Sequence, residues 1–439
     1  MDADAIVIGA GAAGLAAARV LAAGSLRTIV LEARDRTGGR VWTGPSAPGG
    51  VPAELGAEFI HGPAPETRAL LREAGTAWVD TGGESWTLGR DGTLSEAQDF
   101  LAGGSIFDDA HALAADESVD QYLRRFDGDA KMRDAVADAR RFVEGFDAAD
   151  PAIASVKAIA AEWGSGVDST SARPIGGYRP VFDQLLAACD ALGVERQLGT
   201  VVRRIAWRRG EVSVDVTRDG AARTLRARAA IVTLPVGVLR HSGDETAVAF
   251  EPDLPVAKRD ALHSIAMGLA VKVTLRFRSA FWERISGGRY RDAGFFRCPG
   301  RPFTAYWTQL PVRGELICAW AGGPRAVALE AAPPAELIER ALDGFGSLLG
   351  EPGLARSEFE GGVMHDWGRD PFARGAYSYI TVGGGDARLV LAAPVDDTLF
   401  FGGEATANDG QGGTVNGALA TGERAAREAL AALNVPATR

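Results

Sequence analysis

The chain has 439 residues, 46% hydrophobic and 24% charged, with a formal net charge of −10. This is ordinary for a globular protein and long enough for two domains, while the acidic balance argues against nucleic-acid binding and suits a cationic small molecule. Three scattered cysteines, five histidines and no H-E-x-x-H pattern exclude a disulfide framework and leave no metal expected.

Residues 5–8 form a short apolar run suited to a buried parallel strand. Gly9, Gly11 and Gly14 follow in a G-x-G-x-x-G turn. The first allows the tight turn, the second lets a pyrophosphate approach, and the third packs helix on strand. A helix from residue 12 to about 23 would aim its N-terminal N–H groups at phosphates. A second strand at 28–31 ends in Glu32, placed to accept hydrogen bonds from a ribose. Strand, helix, strand and acid in register point to a dinucleotide, and the unit alone leaves FAD and NAD open. The first strand starts within a few residues of Met1, which leaves no room for a leader, and no apolar run reaches the ~20 residues of a membrane span. A cytoplasmic protein with no membrane partner is expected, its oligomeric state open.

A Gly- and Pro-rich loop spans 43–52, followed by the apolar segment Ala53 to Gly62 and a helix at 66–74. From about Ala97 to Cys189 the composition turns helical, with helices expected at 118–126, 130–145, 151–161 and 180–192, most simply an inserted cap or domain. Alternating strands follow at 201–207, 211–217 and 224–227, and a buried strand at 230–235 returns to the nucleotide sheet. Further strands are expected at 270–277, 295–297, 304–309 and 316–321, a helix at 333–349, a strand at 399–403 and a C-terminal helix at 413–433. That last N-terminus is a second place where N–H groups can face a ligand.

Taken together, the segments resemble the flavin-dependent amine oxidases: monoamine oxidases, polyamine oxidases and flavin histone demethylases. VIGAGAAGLAAARVL and LEARDRTGGRVWT resemble the FAD fingerprint, AELGAEFIHG the segment passing the flavin ring, IVTLPVGVL and MGLAVKVTLRF the polyamine oxidase and demethylase branch, and DWGRDPFARGAYSY and FFGGEATANDGQGGTVNGALATGERAA the two C-terminal ring segments. The resemblance implies a mixed α/β fold, with a discontinuous Rossmann-type FAD domain (1–65, 190–260, 385–439) and a substrate domain of mixed sheet and helices (66–189, 261–384).

It also implies roles. Cofactor contacts fall on Gly9, Gly11, Ala13, Gly14, Glu32, Ala33, Arg34, Gly39, Arg40, Gly56, Ala57, Glu58, Phe59, Val202, Thr233, Trp367, Gly403, Glu404, Gly413, Thr414 and Val415. Among these, Arg40 wraps the pyrophosphate, the Val202 backbone pairs with adenine and Glu404 meets the ribityl or ribose. Lys272 matches the lysine that holds a water against the flavin N5. His61 would touch the substrate chain and Glu58 could attract an ammonium. Tyr377 would wall the channel, with Thr414 where monoamine oxidases carry a second tyrosine. Ala376 replaces the cysteine that monoamine oxidases join to the flavin, so the FAD is expected to be non-covalent. The expected reaction is oxidation of a C–N bond of an amine, polyamine-like in preference, with O2 reduced to hydrogen peroxide. An L-amino-acid oxidase, a monoamine oxidase and a non-catalytic or demethylase-like flavoprotein remain alternatives.

Overall fold

The structure, a computed structural model, describes residues 1–44, 50–97, 104–167 and 170–434. Residues 45–49 of the expected Gly- and Pro-rich loop lie outside the described residues.

The organising unit is β1 (Ala5–Ile8), α1 (Ala12–Ala23) and β2 (Thr28–Leu31). β1 is the middle strand of a five-stranded parallel sheet, between β2 and the strand Ala229–Val232. Leu399–Phe401 and Glu195–Gln197 form the edges. Its side chains alternate between two cores. Ala5 and Val7 face the helices, whereas Ile6 and Ile8 face the layer built on the strand Thr200–Arg208. Burial on both faces is what a continuous apolar run in a parallel strand dictates. The C-terminal helix Val415–Ala432 packs against α1 so closely that a β-carbon on Gly422 would lie 2.1 Å from the Ala13 carbonyl oxygen.

A seven-stranded mixed sheet forms the second layer, with Ala270–Phe277 between Leu316–Gly322 and Phe359–Met364. Val271, Val273, Leu275 and Phe277 enter a core under the helix Pro334–Leu348. The period of two therefore turns Lys272 to the opposite face, with Ala270 and Thr274.

The helical stretch after residue 97 is less uniform than its composition implies. Helices occupy Val119–Leu123, Arg133–Gly145 and Val156–Gly164, starting three to five residues late at the last two, but Ser171–Pro174 is a strand. It is the middle of a small sheet between Ile60–His61 and Trp78–Asp80. Ala and Arg favour helix locally, yet Pro174 and pairing across the sheet decide otherwise. No helix among the described residues is long and apolar enough to cross a membrane.

Candidate active site

One cavity of about 740 Å³ runs from the first glycine turn to an aromatic-walled end. It begins where α1 starts. Gly11 precedes that helix with no side-chain cap, and Gly11, Ala12 and Ala13 line the cavity, so the helix N-terminus is open to an anion. Gly9 (φ 103°) sits against Thr233, whose hydroxyl donates to the Ile8 carbonyl. Gly14 does not line the cavity. A β-carbon there would lie 1.8 Å from the Gly9 carbonyl oxygen, so Gly14 allows the close packing of helix on turn expected of the third glycine.

Glu32 is buried at this end. It accepts the Ala10 and Arg34 backbone N–H groups at 2.8 and 3.0 Å, bracing the turn while still lining the cavity. Arg34 is paired with Asp370 at 2.6 Å. Ala33, Gly39 and Val202 complete this part of the wall. Open helix N–H groups, a close-approach glycine and an adjacent acid fit the adenosine and pyrophosphate of a dinucleotide.

In the middle of the cavity Arg40 donates to the Ala376 carbonyl (2.7 Å) and to Glu404 Oε1 (2.9 Å). Glu404 Oε2 accepts the Ser378 hydroxyl (2.6 Å) and the Gly413 N–H (3.0 Å). Burial would raise this carboxyl, but Arg40 and Arg388 outweigh it and hold it below its ordinary value. The Gly413 N–H, expected to face a ligand, is thus taken by Glu404. Thr414 is likewise redirected. It lines the cavity, but its hydroxyl caps the C-terminal helix by accepting the Gly417 N–H (2.9 Å) and donating to the Gln411 carbonyl (2.8 Å). Gly403 and Val415 line the same stretch.

At the far end Trp367 donates its indole N–H to the Leu55 carbonyl at 2.8 Å, and its ring leaves a β-carbon on Gly56 only 3.2 Å away. Lys272 donates to the Gly56 carbonyl (3.2 Å) and lies 2.5 Å from Glu58 Oε2. Glu58 Oε1 accepts from Arg173 Nε (2.9 Å) and Trp307 Nε1 (3.0 Å). Burial would raise Glu58, but Lys272 and Arg173 pull it down to about 2. Glu58 is therefore a counter-ion engaged by two cations, the structural alternative to attracting a substrate ammonium.

His61 lies on the same wall, its Nδ1 3.2 Å from the Ser171 hydroxyl and its ring edge-on to Phe146. Burial lowers it to about 4, so it is neutral at physiological pH. Tyr377 packs on Gly413 and its phenol donates to the Phe146 carbonyl. Ala57, Phe59 and Ala376 also line the cavity.

Several residues here escaped the sequence reading. Phe142, Phe146, Phe295, Trp307 and Trp320 wall the far end, and Arg173 anchors Glu58. The aromatic strands were visible as such, but only pairing turns Trp307 and Trp320 toward the cavity, whereas Arg173 lay between two expected helices in a stretch of helical composition.

Among curated proteins the chain is 29% identical over 98% of its length to rice (Oryza sativa subsp. japonica) "Lysine-specific histone demethylase 1 homolog 2". It is also 29% identical over 96% of its length to rice "Polyamine oxidase 4" and to Arabidopsis thaliana "Polyamine oxidase 2". It spans 57% of the demethylase homolog and 88% of the rice polyamine oxidase. Among solved structures, putrescine oxidase bound to putrescine matches with a TM-score of 0.79 at 23% identity, covering 98% of this chain and 99% of that one. Cyclohexylamine oxidase from Brevibacterium oxydans IH-35A matches with a TM-score of 0.81 at 22% identity, covering 99% of this chain and all of that one. The family model for flavin containing amine oxidoreductases matches residues 12–96 and 105–430, and the chain belongs to that family.

Proposed function

We propose that this chain, with FAD as its cofactor, oxidises the C–N bond of a primary or secondary amine, polyamine-like in preference. The observation that carries the reading is the single cavity joining the open N-terminus of α1 to the aromatic end around Lys272 and Tyr377. When bound, the flavin would supply a two-electron oxidant for the amine and would be regenerated by O2, giving hydrogen peroxide. The substrate is left as an iminium, which water hydrolyses to an aldehyde and an amine.

The chain's own groups orient and shield. The walls Phe59, Phe146, Trp307 and Tyr377 exclude water and offer ring faces to a cation. Neutral His61 adds no charge that would repel an ammonium. Asp138, Asp147 and Glu162 also line the cavity, Asp138 paired with Arg141 and Glu162 with Arg388. Lys272 presents a hydrogen-bond donor at the reacting end. Ala376 lines the cavity without a thiol, so FAD is held non-covalently and should stay in the supernatant when the protein is precipitated by acid. We assign 1–65, 190–260 and 385–439 to the FAD domain, and 66–189 and 261–384 to the substrate domain.

A second reading is an L-amino-acid oxidase, because Arg297 lines the cavity and a guanidinium could meet a carboxylate. Peroxide production with spermidine, N-acetylspermidine, putrescine, phenylethylamine and leucine separates the two. Turnover of the first three supports the proposal, leucine alone supports the second reading, and no turnover refutes both.

A further inference from the structure

Glu58 is a buried carboxylate on which separate strands converge. Ser171–Pro174 brings Arg173, Ala305–Trp307 brings Trp307, and Ala270–Phe277 brings Lys272. The Gln309 amide stands at 3.5 Å and the Cys318 thiol at 3.7 Å. Arg173 alone would neutralise Glu58, and it also donates to the Leu310 and Thr308 carbonyls. Lys272 is therefore a second cation on one anion. An ammonium carries three N–H groups. Among the described residues Lys272 has two acceptors, Glu58 and the Gly56 carbonyl. One N–H remains for whatever occupies the cavity that Lys272 lines.

We infer that Glu58 is a positioning residue for Lys272: it holds the ammonium at the cavity wall as a permanent cation that donates a hydrogen bond and never takes the proton of the amine. This rests on the reading of the Lys272 end as the reacting end. A buried lysine without a counter-ion loses its proton readily. The titratable groups facing Lys272 are Glu58, Glu54 and Cys318. Burial pushes the Cys318 thiol up to about 12 and the Glu54 carboxyl up to about 7, so Glu58 is the partner charged at every working pH. Burial would lower Lys272, but Glu58 outweighs it and raises the ammonium above its ordinary value.

The sequence makes the test direct, since Lys131, Lys157, Lys258 and Lys272 are its only lysines. The FAD-loaded protein is labelled with ε-13C lysine and titrated by NMR without any amine. Each signal is assigned by Lys131→Arg, Lys157→Arg, Lys258→Arg or Lys272→Met. The Lys272 signal is expected to keep its ammonium shift to about pH 10 in the native protein and in Glu58→Asp. In Glu58→Gln its midpoint should fall by ~2 pH units or more. A native Lys272 signal that titrates below about pH 9, or one unmoved by Glu58→Gln, overturns the inference. The native titration decides by itself if Glu58→Gln does not fold. No amine is present, so failure to turn over amines would refute the proposed function and leave this result standing. An active oxidase with a freely titrating Lys272 would overturn this inference alone.

Discussion

Arg40 Nη1 and Glu404 Oε1 lie 2.9 Å apart although 364 positions separate them in the chain. The pair ties the second glycine motif to the C-terminal segment across the middle of the cavity. Arg40 is partly open to the cavity, so removing one partner leaves the other charge uncompensated at a cost below the about 3–5 kcal/mol of a fully buried pair. Glu404→Leu is therefore expected to weaken FAD retention by at least about tenfold, measured as flavin released on ultrafiltration. Undiminished retention would show that the pair does not shape the site.

The crossing of α1 with the C-terminal helix depends on Gly422. Gly422→Ala should destabilise the protein by about 2 kcal/mol or more, read from the denaturant midpoint, because its methyl would meet the Ala13 backbone. Gly353→Ala is the control. It lies in the short helix Pro352–Glu358 with nothing within 4 Å of the added carbon, so it should be neutral or stabilising by up to ~1 kcal/mol.

Glu54 gives the fold a pH dependence. Its Oε1 accepts from Tyr178 N–H and Thr43, while its buried Oε2 has no partner among the described residues, an arrangement that disfavours the charged form. Burial raises the carboxyl from 4.5 to about 7. Between those values the folded state binds the proton that the unfolded state has released, so this contribution falls as pH rises from 4.5 toward 7. It is fully present below 4.5, and its size is on the order of 3 kcal/mol. Glu54→Gln should flatten that part of the curve in melts across the window, and an unchanged slope would assign it elsewhere.

The oxidation rate should rise toward alkaline pH, because a neutral amine is the reactive form and substrate amines are mostly protonated near neutrality. His61, held near 4, is already neutral throughout the window and contributes nothing to the rise. His61→Gln should change KM yet keep the shape of the profile. A flat native profile from about pH 6 to 10 would count against the mechanism.

Lys272→Met removes the donor at the reacting end. Flavin reduction or reoxidation, followed by stopped-flow absorbance, should slow by well over tenfold, roughly the effect of losing one preorganised donor. Unchanged kinetics would take Lys272 out of the site.

Much of this was legible in the sequence wherever one segment carries its own signal. Gly9, Gly11 and Glu32 line the cavity as the strand–turn–helix register predicts, and a period of two placed Lys272 beside Ala270 and Thr274. What stayed hidden depends on partners distant in sequence. Which cations Glu58 would pair with could not be read until Arg173 and Lys272 closed on it. Thr414 lines the cavity, but that its hydroxyl is committed to a helix cap could not be read from its position alone. Arg173 could not be read at all, because a strand paired only with Ile60–His61 and Trp78–Asp80 has no local signature to outweigh helix-favouring neighbours.

The edge strand Leu399–Phe401 and the final helix close both the sheet and the cavity wall. A nascent chain still holding these residues in the ribosome has the first glycine turn but neither Glu404 nor Gly413. The cavity wall is therefore complete only once the C-terminal segment has packed onto the first helix.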